Sequence, residues 1–116
     1  METFQSAILR REEREQDTHG RWFEWYQKIL SVRRRELVPR LMNMTGGGSA
    51  YLIRGPQAVS VQWRYAGGRL QLDANLSAAA QGGFDVRAGR QIWLEGSRDE
   101  GGVLGPWTVE WYILDP

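Results

Sequence analysis

The sequence predicts a mainly β protein, a small antiparallel β-sandwich preceded by one long amphipathic α-helix. Three observations predict it. Apolar residues recur at helical spacing up to Pro39, a glycine run interrupts the chain at Gly46-Gly47-Gly48, and beyond it the apolar period falls from 3.6 to 2. The organisation that follows is an N-terminal segment and helix over 1–42, a Gly-rich linker over 43–49 and a β-sandwich domain over 50–116.

The first nineteen residues are mostly polar, and the run Arg10-Arg11-Glu12-Glu13-Arg14-Glu15 mixes both signs, as a solvated helix face or loop does. Asp17 or Thr18 can cap a helix, because a short polar side chain there accepts from the first free N–H groups. At 100° per residue, Trp22, Phe23, Trp25, Tyr26, Ile29, Leu30, Val32 and Leu37 occupy about half of the circumference. Arg21, Glu24, Gln27, Lys28, Ser31, Arg34 and Arg35 occupy the other half. Pro39 lacks the N–H that the helix needs, so the helix ends or kinks there. The apolar stripe is wide for so small a protein and is built to pack against something large.

After the linker, Ala50 to Arg54 is a short apolar run. Val59, Val61, Trp63 and Tyr65 alternate with Ser60, Gln62 and Arg64, and Leu70, Leu72, Ala74 and Leu76 alternate with Gln71, Asp73 and Asn75. Ala66-Gly67-Gly68 between them makes a hairpin. Phe84 to Val86 reads as a short strand, Arg90 to Glu95 as another, and Trp107, Val109, Trp111 and Ile113 as the last. The apolar phase is expected inside, with Trp63, Trp107 and Trp111 in the core. Trp93 is out of phase with Ile92 and Leu94 and is expected on the opposite side of its strand.

Composition narrows function. A chain of 116 residues makes one domain and is too short for a barrel enzyme. Fifteen basic and fourteen acidic residues leave a net charge of +1, which argues against a nucleic-acid partner and against a membrane surface. With no cysteine and one histidine, His19, there is no disulfide, no thiolate nucleophile and no His/Cys metal site, and no cofactor is expected. No apolar run approaches the ~20 residues of a membrane span, and the N-terminus lacks a secretory apolar region, so a cytoplasmic protein is expected. Asn43-Met44-Thr45 and Asn75-Leu76-Ser77 are accordingly read as chance matches to the glycosylation pattern.

No catalytic constellation emerges. His19 sits in a charged helix start and reads as an exposed or capping residue. Asp73, Asp85, Glu95, Asp99, Glu100 and Glu110 show no spacing that pairs any two for glycosidase chemistry, and are expected as solvated surface acids. Arg33-Arg34-Arg35 and Arg40 read as a solvated helix face, or as partners of Glu36 or of an adjoining domain. Two binding surfaces are candidates. Trp93 and Tyr112 could stack on an α-glucan ring, and Trp22, Trp25, Tyr26 and Ile29 form an association face on which a homodimer could assemble.

Several segments resemble a known family. Arg33-Arg34-Arg35-Glu36-Leu37-Val38-Pro39-Arg40-Leu41 looks like the end of the last barrel helix of the malto-oligosyltrehalose trehalohydrolases, members of the α-amylase family of glycoside hydrolases, and Met1-Glu2-Thr3-Phe4-Gln5-Ser6 is similar to the stretch before that helix. Leu72-Asp73-Ala74-Asn75-Leu76-Ser77 and Gly105-Pro106-Trp107-Thr108-Val109-Glu110-Trp111 resemble its β-domain strands. Two departures stand out: Ala7-Ile8-Leu9-Arg10-Arg11 replaces a Lys-Leu-Asp-Trp run, and Thr108 replaces a serine. The resemblance implies a C-terminal accessory domain that braces the catalytic barrel of an enzyme releasing trehalose from maltooligosyl trehalose. The acids of that enzyme lie in the barrel, so no catalytic residue carries over. A carbohydrate-binding module and a protein-interaction domain using the helix face are the alternatives.

Overall fold

A computed structural model describes residues 17–42, 44–85 and 88–115 of the chain. The segment 1–16, Val86 and the side chains of Asp17, Thr18 and His19 lie outside what is described. Helix α1 (Asp17–Val32) passes through one wide π-turn (Arg33–Leu37) into a last helical turn, α2 (Val38–Leu41). The break expected at Pro39 is therefore a widened turn just before it. A proline ring presses on the carbonyl four residues back, and a π-turn makes room for it. The same turn carries Glu36 inward, where it is buried, and its carbonyl accepts from Arg40 Nη1 at 2.7 Å.

Five strands follow: β1 (Met44–Gly55), β2 (Ala58–Tyr65), β3 (Gly68–Asn75), β4 (Arg90–Glu95) and β5 (Thr108–Leu114). They form one sheet in the order β1-β2-β3-β5-β4, each neighbour antiparallel. The β2–β3 hairpin turns through Ala66 and Gly67, whose φ of 80° suits glycine alone. The mainly β fold after one helix is as predicted, with two corrections to its parts. The expected linker is strand: Gly46-Gly47-Gly48 lies inside β1, in a register shift between Met44 and Ser49, because pairing with β2 continues to Tyr65 and the glycines absorb the irregularity. No strand is described at Phe84, whose N–H instead bonds the carbonyl of Gly102 at 3.1 Å.

The second layer of the sandwich is made of loops. The connections β3–β4 and β4–β5 meet in isolated bridges of Leu104 to Gln81 and to Arg98, and seat Phe84 and Leu104 against Ala58 as a small buried core. Asn75 organises this layer. Its amide donates to the carbonyls of Ala79 (2.8 Å), Leu104 (3.2 Å) and Gly105 (2.9 Å), and its own carbonyl accepts from Ser77 Oγ at 2.7 Å. Gly102, at φ 81°, lets the loop touch the carbonyl oxygen of Phe84, where a side chain would collide.

Residues directly opposite on paired strands share a face. The register therefore puts Ile53, Val59, Leu72, Ala74, Val109, Trp111, Trp93 and Trp63 on one face, and Ala58, Ser60, Gln62, Gln71, Asp73, Asn75, Thr108, Glu110 and Tyr112 on the other. The loops cover the second, polar face. Ser60, Asp73, Asn75, Thr108 and Glu110 are buried, while Tyr51 and Ile53 on the apolar side remain 70% and 69% exposed. The strands alternate as predicted, and Leu70, Ala74 and Ile113 of the apolar phase are buried as expected, but the polar phase is buried beside them and the apolar face opens toward β1.

Candidate functional site

Beneath the loops lies a network of charge. Asp73 and Glu110 face each other across β3 and β5, both 0% exposed, and Arg98 Nη1 bridges them at 2.7 Å and 3.1 Å. Asp73 also accepts from Ser60 Oγ (2.8 Å), Gln71 Nε2 (3.1 Å) and the Tyr112 hydroxyl (3.2 Å). Arg98 Nη2 donates to the carbonyl of Asp85. Burial pushes the Tyr112 hydroxyl well above its ordinary range, and the Asp73 carboxylate adds to the shift. Burial works against the charge on Arg98, yet its bond to Asp73 and the Glu110 charge more than offset this. Of the six acids expected as solvated, Asp73 and Glu110 are instead fully enclosed, while Asp85, Asp99 and Glu100 are exposed as expected. No solvent reaches Asp73 or Glu110, so the pair can hold the loop layer to the sheet but cannot receive a substrate. Their partnership was readable in principle: once β3 and β5 are paired, Asp73 and Glu110 share a register.

The helix crosses the apolar face. Trp25 meets Trp93 edge-on at 6.1 Å and its Nε1 donates to Glu95. Further along, Arg90 clasps Glu36 with two parallel bonds of 2.9 and 3.0 Å, and Arg40 Nη1 reaches the same carboxylate at 3.1 Å. Arg40 Nη2 bonds Asp115 at 2.7 Å, and the Tyr65 hydroxyl donates to Asp115 at 2.6 Å. The Arg90 fork holds the Glu36 carboxyl down at about 2, against the cost of its burial. Arg40 likewise lowers Asp115, helped by Tyr65. Of the basic run, Arg35 and Arg40 serve Glu36, as one of the two readings of that run had it.

These contacts occupy the ends of the apolar face. Between them, Trp63 and Trp111 stack at 5.6 Å with planes 9° apart, and Val59, Val61, Leu72 and Val109 stay half-buried. Tyr51 and Ile53 on β1 and Trp22, Phe23, Tyr26 and Leu30 on the helix are exposed. Leu70, Ala74 and Ile113 of this face are buried, whereas among the described residues none covers Tyr51, Ile53 or the outer helix stripe. That open surface is the candidate functional site, an interface and not a reaction centre.

A scan against family models matches residues 46–111, more than half of the chain, to the family described as "Domain of unknown function (DUF3459)". The chain belongs to this family. No curated protein matches the chain. Among solved structures, one described as "Putative alpha Amylase from Salmonella typhimurium" is similar over 98% of this chain, at 24% identity and a TM-score of 0.86. The likeness takes in helix and sheet together and spans 19% of that protein's own chain.

Within this DUF3459 domain the expected site residues separate. Tyr112 is corrected: it is 2% exposed, its ring lies 6.0 Å below the Arg98 guanidinium and its hydroxyl is engaged, so no sugar ring can stack on it. Trp93 faces the helix, and the indole of Trp25 stands against it where a sugar would lie. Of the association face, Trp22 and Tyr26 are exposed, while Trp25 and Ile29 turn toward half-burial. Trp107 also departs from expectation. It stands just before β5, 61% exposed at a φ of 54°, because the Gly105-Pro106 turn swings it out of the strand's phase. No three acids or histidines among the described residues gather as a metal site would.

Proposed function

We propose that this DUF3459 domain is a non-catalytic brace: its apolar sheet face and the outer stripe of α1 pack against the catalytic barrel of an α-amylase-family enzyme. The observation that carries the reading is the open part of the apolar sheet face. A sheet must cover its apolar face, and here the loops cover the polar one while the helix closes only part of the apolar one, leaving Tyr51 and Ile53 exposed. Exposed apolar surface of this extent marks an interaction site. The closed acid pair supports a role without chemistry of its own. The segments around Arg33–Leu41, Asn75-Leu76-Ser77 and Pro106–Trp111 favour a trehalohydrolase as the parent, cleaving the α-1,4 bond next to the trehalose unit of maltooligosyl trehalose, in the cytoplasm.

The test uses the full-length parent. Ile53→Lys and Trp111→Lys are expected to lower its thermal stability and soluble yield, and the isolated chain is expected to release no trehalose from maltooligosyl trehalose. Both substitutions leaving the parent unchanged would sink the brace. A parent that turns over α-glucan but not maltooligosyl trehalose would leave the brace standing and remove only the trehalohydrolase assignment.

A further inference from the structure

The loop layer stops short of the strand ends. Over β1, β2 and β3, on the polar face, it leaves an open cleft of about 270 Å³. Its floor is fixed, since Ser60, Gln71 and Tyr112 are all tied to the buried Asp73. Its polar groups are only partly engaged. Gln62, its carbonyl turned to Arg69, accepts from Nε at 3.1 Å and Nη1 at 2.8 Å, which leaves Arg69 Nη2 and the Gln62 NH2 as donors. Gln71 donates to Asp73 and keeps its carbonyl oxygen. Asp85 gives Oδ2 to Arg54 at 2.9 Å and keeps Oδ1. None of these four groups meets a described residue at hydrogen-bond distance. Leu52 and Leu114 supply apolar lining.

We propose that this cleft binds a pyranose ring through its hydroxyls. Two donors and two acceptors stand in one cavity, and each sugar hydroxyl both donates and accepts. An anion would be drawn to Arg69 but would also meet the Asp85 carboxylate and the Gln71 carbonyl, whereas a hydroxyl satisfies the donors and the acceptors alike. The volume is at the lower end of small-ligand clefts, which fits one ring and excludes a chain wrapped across the sheet. Leucines at the margin fit the C–H faces of the ring. The proposal stands apart from the brace, because it uses the opposite face of the sheet.

The experiment is a ¹H–¹⁵N NMR titration of the chain with maltose, with sorbitol as an open polyol and with inorganic phosphate. Maltose is expected to shift the side-chain amides of Gln62 and Gln71 saturably at millimolar concentration, and sorbitol more weakly. Arg69→Ala, with an unchanged melting curve, is expected to weaken maltose by about tenfold, and Arg69→Lys by several-fold, since lysine lacks the planar fork. Should Arg69→Ala lower the melting curve, Arg69→Lys provides the reading. Phosphate shifting these amides without maltose doing so would replace the sugar by an anion. Shifts confined to the Trp107 indole, no shift at all, or wild-type affinity in both variants would overturn the cleft.

Discussion

At the scale of single residues, position in the loop layer decides what each side chain is for. Trp107 sits in a conformation that favours glycine and costs a larger residue about 1–3 kcal/mol. Its indole is mostly in solvent, and nothing in the structure explains a tryptophan there. Trp107→Gly is expected to change stability by no more than about 1 kcal/mol in urea unfolding. A loss of about 3 kcal/mol or more would return it to the core. Arg98 is the opposite case, because its removal leaves two enclosed carboxylates without their shared cation. Arg98→Met is expected to destabilise by about 3–5 kcal/mol, or to prevent folding, and circular dichroism melting would register either. Glu36 gives a pH signature. Its carboxyl is held at about 2 in the folded chain against an ordinary 4.5, so the stabilisation is complete above about 4.5 and is lost as pH falls toward 2. Arg90 is half in solvent, which trims the effect to about 1–2 kcal/mol. Glu36→Gln is expected to lose that amount at pH 7 and to unfold with a flatter pH dependence between 4.5 and 2. An unchanged slope would mean that other acids carry it.

At the scale of elements, the helix is docked at two places. Trp25 against Trp93 and Glu95 holds its first half, and the Glu36–Arg90 and Arg40–Asp115 pairs hold its end. The two docks are joined by the π-turn that Pro39 induces, and that turn is what aims Glu36 at the sheet. Trp25→Ala is expected to cost about 2–3 kcal/mol. It should also raise amide hydrogen exchange in Asp17–Val32 while the β3–β5 amides stay protected. Equal deprotection of helix and sheet would show them to be one cooperative unit. The sheet itself draws its order from hairpins, with β5 inserted between β3 and β4. That insertion brings Glu110 beside Asp73 and gives Arg98 a place between them.

At the scale of the whole molecule, the apolar sheet face and the outer helix stripe lie on one side of the protein, with the polar cleft on the other. A chain with such a face exposed is expected to self-associate when no larger partner covers it. Sedimentation velocity should give a concentration-dependent increase in mass, and Ile53→Lys or Tyr26→Lys should return the chain to a monomer with stability within about 0.5 kcal/mol of the parent sequence. A strict monomer at high concentration would count against association through this face. The two sides also separate their functions, so a substitution that disturbs association should leave maltose shifts at Gln62 unchanged.

The sequence by itself determined the local structure. Its periodicity placed the helix, β2, β3, β4 and β5 close to where they lie, because period and turn chemistry act within a few residues. It also offered Glu36 as one possible partner of the nearby arginines, though not Arg90, which clasps it from far along the chain, and it showed a helix stripe wide for so small a domain. Its failures are at longer range. Gly46-Gly47-Gly48 became strand because β2 offered a partner that glycine composition does not announce. Asp73 and Glu110 alternated like surface residues, and only the register of β3 with β5 and the return of the 96–107 loop enclosed them around Arg98. Tyr112 shares their phase and was buried with them. Alternation states that a strand has two unlike faces. Which face is covered depends on where the connecting loops return, and that is settled by contacts between residues far apart in the chain.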